Sequence, residues 1–334
     1  MELPKFVQIE PVGQCNLKCR MCPIQFRKDG APGGPAAFMR FEVFCELVDQ
    51  FPEMDELHLQ GLGEPMLHPR FFDMVRYASA RGVQVSTNTN LTVCTETRVR
   101  DCLASGLRKL YVSLDGATAE VFEQIRLGAR FEKMMCNLQR LTTLWRAFPF
   151  EGEPMHIGIV VVAMRMNLTE LAAIVRLAHG YGISDVSVQH LCHDFGEETL
   201  PAHYRPMRSF VDEQTLTHDD PERVAHHFDE ARRAAASLGV TLRLPTINRQ
   251  PEPPRKMPHS RCDWPRRGAY ISYNGEAMPC CMVATPDRIN FGNMAKDGVK
   301  AVWNNGAYDA FRDRLDSNDP PDICKSCSVY AGTF

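Results

Sequence analysis

The sequence lacks the features that mark secreted, membrane-spanning or nucleic-acid-binding chains. Its first residues contain no apolar run of the signal-peptide type. The longest aliphatic run, residues 157–164, is far shorter than the roughly 20 residues that span a bilayer. Neither sign of charge dominates, with 38 Lys and Arg against 41 Asp and Glu. We therefore expect a cytoplasmic protein with no membrane partner and no nucleic-acid partner.

Cysteine, by contrast, is abundant, with 13 in 334 residues. A reducing cytoplasm does not favour a disulfide framework, so another use is expected. Seven cysteines form two spaced groups: Cys15, Cys19 and Cys22, and then Cys262, Cys280, Cys324 and Cys327. The other six are expected to pack as small hydrophobic residues, as Cys45 does in the apolar helical stripe between Phe41 and Val48.

Short β-branched runs alternate with longer amphipathic stretches along most of the chain. The candidate strands are residues 6–10, 57–60, 83–88, 110–114, 157–162 and 186–190. Four of the helices between them end in a glycine that precedes the next apolar segment: Gly82, Gly106, Gly182 and Gly239. Glycine accepts the left-handed conformation that closes a helix. Six such units predict a parallel sheet, open or curled, with helices packed on it.

Polar residues follow five of these strands. They are the first cysteine loop, residues 61–65, residues 86–88, residues 113–116 and residues 189–194. Ligands of parallel α/β sheets bind at the carboxyl ends of the strands. The sequence therefore predicts a functional site at this rim.

A proline-rich stretch, residues 245–258, cannot continue a helix or a strand. We place a domain boundary near residue 248, between domains of residues 1–247 and 248–334. The second domain is too small for a large core, and we expect a metal centre to stabilise it.

The spacing Cys15-x3-Cys19-x2-Cys22 directs three thiols toward one point. Thiolates suit iron–sulfur clusters, zinc and copper(I). Structural zinc takes four ligands, whereas three cysteines leave one coordination position open. This loop, followed by Gly63-Glu64-Pro65 after the second strand, resembles the radical S-adenosylmethionine (SAM) enzymes.

The resemblance implies an α/β fold, a partial (β/α)6 barrel of the TIM type with parallel strands, and a small C-terminal cluster-binding domain. It also implies a [4Fe–4S] cluster held by the three cysteines, with SAM on the fourth iron. Residues 62–65 resemble the family's GGEP motif with Leu62 in place of the first glycine, and Glu64 would bind the SAM amino group. Ser113, Arg126 and Asn88 match positions that contact the rest of SAM, Arg126 through the carboxylate. Met21 replaces the aromatic residue that often precedes the third cysteine.

The second group of cysteines resembles the SPASM/twitch extension of the same superfamily. The matching pattern is Cys262, Gly275-x4-Cys280 and Cys324-x2-Cys327. Four ligands imply one auxiliary [4Fe–4S] cluster. A zinc ribbon on the same four thiols is the alternative.

An auxiliary cluster implies two outcomes for a substrate radical. Transfer of an electron to that cluster with loss of a proton gives oxidation, and return of a hydrogen atom from a thiol gives epimerisation. Cys281, beside Cys280, and Cys192, at the predicted rim, are the candidate thiols. His193 and Asp194 are the candidate proton acceptors on the same rim.

The substrate class expected from these features is a small polyol or aminosugar, because the chain shows no added peptide-recognition domain before its first cluster cysteine. A peptide or protein side chain is the runner-up. The external electron donor implied by the family is a flavodoxin or ferredoxin. A reading of another class, a non-catalytic metal-binding or redox module, does not explain the polar strand ends.

Overall fold

A nine-stranded sheet forms the frame of the protein. The computed structural model describes residues 1–28, 37–191, 196–246, 262–283 and 285–331. The strands are β1 Phe6–Ile9, β2 Glu56–Leu59, β3 Gln84–Thr89, β4 Lys109–Ser113, β5 His156–Ala163, β6 Asp185–His190, β7 Thr241–Arg243, β8 Gly268–Ile271 and β9 Ala277–Met278. Their order is β7-β6-β5-β4-β3-β2-β1-β8-β9. All neighbours are parallel except β8 and β9.

Helices connect the strands of the barrel, and further helices follow the last strand. They are α1 Phe41–Asp49, α2 Phe71–Ser79, α3 Glu96–Leu103, α4 Ala119–Ile125, α5 Phe131–Ala147, α6 Leu171–Gly180, α7 Arg205–Gln214, α8 Pro221–Leu238, α9 Trp264–Arg267, α10 Met294–Asp297, α11 Val299–Trp303, α12 Gly306–Asp316, α13 Asp322–Lys325 and α14 Ser328–Ala331. Each strand from β1 to β7 reaches the next through at least one helix, which gives the partial TIM-like barrel. Within the described ranges, no helix is long and apolar enough to cross a membrane.

The six strands predicted from the sequence are all present, with ends that differ by at most one residue. The predicted helix-ending glycines also behave as expected. Gly82, Gly106, Gly182 and Gly239 have φ values of +83°, +85°, +73° and +67°. Side chains with a Cβ rarely adopt this region, so the glycines fix where each helix stops.

The sheet is larger than the sequence predicts. β7 adds a seventh strand to the barrel, and β8 lies parallel to β1 in a register that pairs Phe6 with Gly268 and Ile9 with Ile271. The C-terminal part therefore continues the sheet of the barrel. Trp264, edge-on to Phe6 at 5.7 Å between ring centroids, fixes the start of β8. The boundary expected near residue 248 lies outside the described residues.

A buried ion pair lies where β1 meets the cysteine loop. Arg27 Nη1 is 2.6 Å from Glu10 Oε1, and neither side chain is exposed to solvent. The same oxygen accepts a hydrogen bond from Leu62 N at 3.1 Å, and Glu10 Oε2 accepts one from Tyr273 N at 3.4 Å. One carboxylate thus joins the cysteine loop, the segment after β2 and the C-terminal part.

We expect Glu10→Gln to lower the free energy of unfolding by about 3–5 kcal/mol, because it removes the negative charge that lies 2.6 Å from the buried Arg27 guanidinium. Chemical denaturation of the anaerobically prepared protein measures this change. Glu46→Gln, on the exposed side of α1, is the matched control and should change stability by less than about 0.5 kcal/mol. Equal effects of the two substitutions would contradict a central role for the pair.

Candidate active site

A cavity of about 440 Å³ lies at the carboxyl ends of the barrel strands. It brings together side chains that the sequence places far apart. Eight of the predicted site residues line it: Cys15, Cys19, Cys22, Glu64, Asn88, Ser113, Arg126 and Cys281. Three thiols, one carboxylate and one guanidinium on one wall can hold a cluster and an amino acid.

Backbone hydrogen bonds fix the cysteine loop against two other segments. Lys18 N donates to Leu127 O at 2.9 Å, and Arg20 N donates to Ile125 O at 3.0 Å. On the other side, Glu64 N donates to Gln14 O at 3.1 Å. The loop therefore lies between the end of α4 and the segment after β2, where Arg126 and Glu64 face the same cavity.

Gly63 is required by this close packing. A Cβ there would lie 2.0 Å from the carbonyl oxygen of Val12 and 2.6 Å from that of Gln14, so any side chain would push the cysteine loop away. Leu62 is tolerated in the position of the family's first glycine. Its side chain is half-buried and lines the cavity.

Glu64 is a buried carboxylate held in a fixed orientation. Its Oε1 accepts hydrogen bonds from Thr89 Oγ1 at 2.7 Å and from Met66 N at 3.2 Å, and its Oε2 accepts one from Asn90 N at 2.7 Å. Burial raises its pKa, and these hydrogen bonds oppose that rise. Oε2 has room for a second donor, which suits the amino group of an amino acid.

The three thiols of the cysteine loop are shielded from solvent, and two N–H groups point at the sulfur of Cys15. Burial raises the pKa of Cys15 to about 11 and also raises the pKa values of Cys19 and Cys22. Cluster ligation needs thiolates, so binding of iron releases these protons. Leu17 N and Asn90 Nδ2 donate to Cys15 Sγ at 3.4 and 3.7 Å, and such bonds stabilise a thiolate ligand.

Arg126 is buried and paired with a carboxylate of the family motif. Its Nη2 is 2.7 Å from Asp115 Oδ2, with the side chains 8% and 0% exposed. Asp115 Oδ1 accepts a hydrogen bond from Val162 N at 2.7 Å, which holds it in place. Arg126 Nε has no hydrogen-bond partner among the described residues. A positioned guanidinium with a donor to spare suits the carboxylate of SAM.

The remaining predicted catalytic residues divide into two groups. Cys281 lines the cavity and is half-buried. Cys192, His193 and Asp194 lie outside the described residues, and their role stays a prediction.

The second group of cysteines surrounds a separate, smaller cavity. Cys262, Cys280, Cys324 and Cys327 all line it. Tetrahedral zinc, with Zn–S distances of about 2.3 Å, would hold its sulfurs about 3.8 Å apart. Among the described residues, no three cysteine sulfurs lie within 4.8 Å of one another. Four thiols around one cavity are the ligand set that an iron–sulfur cluster takes.

The two cavities share a wall. Trp264 and Met282 line both of them. Cys280 lines the smaller cavity and the next residue, Cys281, lines the larger. A centre in the small cavity is therefore separated from a substrate in the large one by one layer of side chains.

Several site residues are missed by sequence reasoning. Asp115 is part of the motif quoted for Ser113, and its pairing with Arg126 is readable only in three dimensions. Glu10 could have been found from the sequence, because a carboxylate between an apolar strand and the cysteine loop is expected to be buried, and buried carboxylates are rare. Trp264 and Asn90 give no signal of that kind.

Two family models match the chain. The model described as the radical SAM superfamily matches residues 9–148, and the iron–sulfur cluster-binding domain called SPASM matches residues 262–328. The chain belongs to the radical SAM superfamily. It is accordingly a radical SAM enzyme that binds SAM and a [4Fe–4S] cluster, with an auxiliary iron–sulfur cluster in its SPASM part.

Curated relatives of this radical SAM enzyme match almost its whole length. The tungsten-containing aldehyde ferredoxin oxidoreductase cofactor-modifying protein of Pyrococcus furiosus is 24% identical over 97% of this chain and 87% of its own. The AdoMet-dependent heme synthase of Methanosarcina barkeri is 25% identical over 98% and 90%. The PqqA peptide cyclase of Xanthomonas euvesicatoria pv. vesicatoria is 25% identical over 97% and 80%.

Solved structures share the fold. Streptococcus suis SuiB bound to precursor peptide SuiA aligns with a TM-score of 0.71 at 15% identity, over 99% of this chain and 71% of its own. BtrN in complex with AdoMet and 2-DOIA aligns with a TM-score of 0.52 at 15% identity, over 98% and 94%. At this identity the likeness establishes the fold alone.

We expect Glu64→Gln to weaken SAM binding about 10- to 100-fold, because it removes a charge-assisted hydrogen bond worth about 1.5–3 kcal/mol. Equilibrium dialysis of SAM against the cluster-loaded protein measures the affinity. Glu96→Gln, on the exposed surface of α3, should leave it unchanged. Parent-like affinity in Glu64→Gln, with the cluster retained, would remove Glu64 from the SAM site.

Proposed function

We propose that this radical SAM enzyme modifies a peptide, oxidising a side chain that enters the large cavity. When bound, the cluster and SAM supply a 5′-deoxyadenosyl radical that abstracts a substrate hydrogen, and the auxiliary cluster accepts one electron. A substrate that loses this hydrogen atom, then a proton and an electron, has undergone a two-electron oxidation. The external electron donor that starts the reaction is a flavodoxin or ferredoxin.

The size of the cavity is the observation that carries the peptide proposal. Pockets for drug-sized ligands measure about 300–1,000 Å³. SAM is a ligand of that size, and the cavity of about 440 Å³ must also hold the cluster. A side chain inserted from outside needs only part of this space, whereas a free small molecule must fit in it entirely beside SAM and the cluster. The PqqA peptide cyclase, a relative over most of the chain, acts on a peptide by its name.

The side chains that line the cavity are suited to bind an uncharged part of a substrate. Away from Glu64, Arg126 and the cysteines, its polar side chains carry uncharged amide, hydroxyl or imidazole groups: Gln8, His58, Gln60, Asn88, Thr89, Asn90, Ser113, Gln189 and Tyr270. His58 is included because burial lowers its pKa to about 4. Amide, hydroxyl and imidazole groups can bind peptide backbone by hydrogen bonding without requiring a charge on the substrate.

The same lining also suits the hydroxyl groups of a small polyol or aminosugar, which is the second candidate. The observation that favours it is the likeness to BtrN, which covers 94% of that chain and whose structure holds 2-DOIA with AdoMet. The peptide proposal ranks first because a polyol would have to fit beside SAM as a whole molecule.

The substrate class is testable with a deuterated extract of the source cells. We expect the reduced, reconstituted enzyme with SAM to form deuterated 5′-deoxyadenosine from this extract, measured by mass spectrometry. Digestion of the extract with a broad protease should abolish the deuterium transfer if the substrate is a peptide. Transfer that survives digestion would favour the polyol candidate and overturn the peptide proposal.

Two cysteine variants control this experiment. Cys19→Ala removes one expected cluster ligand and should form no 5′-deoxyadenosine. Cys136→Ala, on the exposed surface of α5, should behave like the parent protein. Product formation by Cys19→Ala at the parent rate would contradict the radical SAM role of the first cysteine loop.

The reaction type is testable in heavy water. We expect a product without solvent deuterium on carbon, and turnover of Cys281→Ala within a few-fold of the parent, because oxidation needs no hydrogen-atom donor. Solvent deuterium at the reacting carbon, lost in Cys281→Ala, would instead identify Cys281 as the donor and the reaction as an epimerisation. Mass spectrometry of the product distinguishes the two.

A further inference from the structure

Arg288 is a buried cation at the edge of the auxiliary-cluster cavity. It lines this cavity together with the four cysteines, and its side chain is 3% exposed. Its Nη1 donates to the carbonyl oxygens of Val283 at 3.2 Å and Met282 at 3.5 Å, directly after the Cys280–Cys281 pair. The guanidinium is thus fixed beside the segment that carries one cluster ligand.

The partner of Arg288 comes from the barrel. Glu197, which follows β6 in the chain, accepts from Arg288 Nε at 2.7 Å and lies 2.5 Å from Nη2, in both cases through Oε1. Its side chain is also 3% exposed, and its Oε2 has no hydrogen-bond partner among the described residues. Glu197 does not line the cluster cavity. The positive end of the pair therefore faces the cluster and the negative end lies behind it.

We propose that Arg288 raises the reduction potential of the auxiliary cluster and that Glu197 limits this rise. Reduction adds one negative charge to a cluster. A fixed cation at the cavity wall stabilises that charge, and the low dielectric of a buried site strengthens the effect. A higher potential makes the auxiliary cluster a better acceptor for the electron of a substrate radical.

A second contact supports a link between this part of the barrel and the cluster. A Cβ on Gly196 would lie 2.4 Å from Ser326 Oγ, and Ser326 stands between Cys324 and Cys327. Residues 196 and 197 therefore reach the cluster segment at two places, next to Cys280 through Arg288 and between the last two cysteines. The segment of Glu197 therefore both holds the charge of Arg288 in place and contacts the chain between Cys324 and Cys327.

The test is a redox titration of the holoenzyme, followed by electron paramagnetic resonance. The signal that SAM does not perturb reports the auxiliary cluster. We expect a lower potential in Arg288→Gln and a higher one in Glu197→Gln, because the first loses a cation and the second loses the negative charge paired with that cation. Each shift should be about tenfold in the ratio of reduced to oxidised cluster, or about 59 mV for a one-electron couple.

The opposite directions of the two expected potential shifts distinguish an electrostatic effect on the cluster from a purely structural role of the pair. A merely structural pair would shift both potentials in the same direction or leave both unchanged, and either result overturns the proposal. If Arg288→Gln loses its auxiliary cluster, the reduction potential of Glu197→Gln decides alone: a rise supports the proposal and no rise overturns it. Arg288→Lys keeps the positive charge, and its potential should stay near that of the parent protein. Zinc in place of iron at the four cysteines also overturns it. The proposal depends on the auxiliary cluster and not on the substrate class, so the two fail separately.

Discussion

The carboxylate of Glu10 is the constraint on which the rest of the site depends. It lies at the end of β1 with no exposure to solvent, and it binds Arg27, Leu62 N and Tyr273 N. These contacts bring the cysteine loop, the segment that carries Glu64 and the SPASM part to one point. A buried charge is costly unless it is paired and hydrogen-bonded, so the three segments must meet for Glu10 to be tolerated. The fold thereby couples the position of both cluster regions to one side chain.

A second buried pair, Asp115 and Arg126, balances charge inside the large cavity. Arg126 also lies close enough to lower the pKa values of the first three thiols, although burial has the larger and opposite effect. A free guanidinium there would attract any anion, whereas Asp115 offsets part of the charge and fixes the geometry. The remaining donor, Nε, can then select a carboxylate by direction as well as by charge.

Much of this arrangement is readable from the sequence because it depends on local signals. The strands around the barrel, the glycines that end the helices and the polar strand ends follow from residue type and spacing, and the structure confirms them. The pairing of β8 with β1 and the contact of Glu197 with Arg288 are not readable in this way. Each joins residues that are distant in the chain, through short segments without a distinctive period. The division into residues 1–247 and 248–334 stays a prediction, and it gives no sign that β8 pairs with β1.

The shared wall between the cavities gives the adjacent cysteines different surroundings. Cys280 lines the small cavity with the other three expected ligands, and Cys281 lines the large one. Because Trp264 and Met282 belong to both cavities, an electron leaving a substrate crosses a single layer of side chains. In the lower dielectric of a protein, a charge on the auxiliary cluster is felt more strongly than it would be in solvent. The effect proposed for Arg288 and Glu197 acts on that charge from the wall of the small cavity. In this proposal, the end of the reaction depends on residues outside the cavity where the reaction begins.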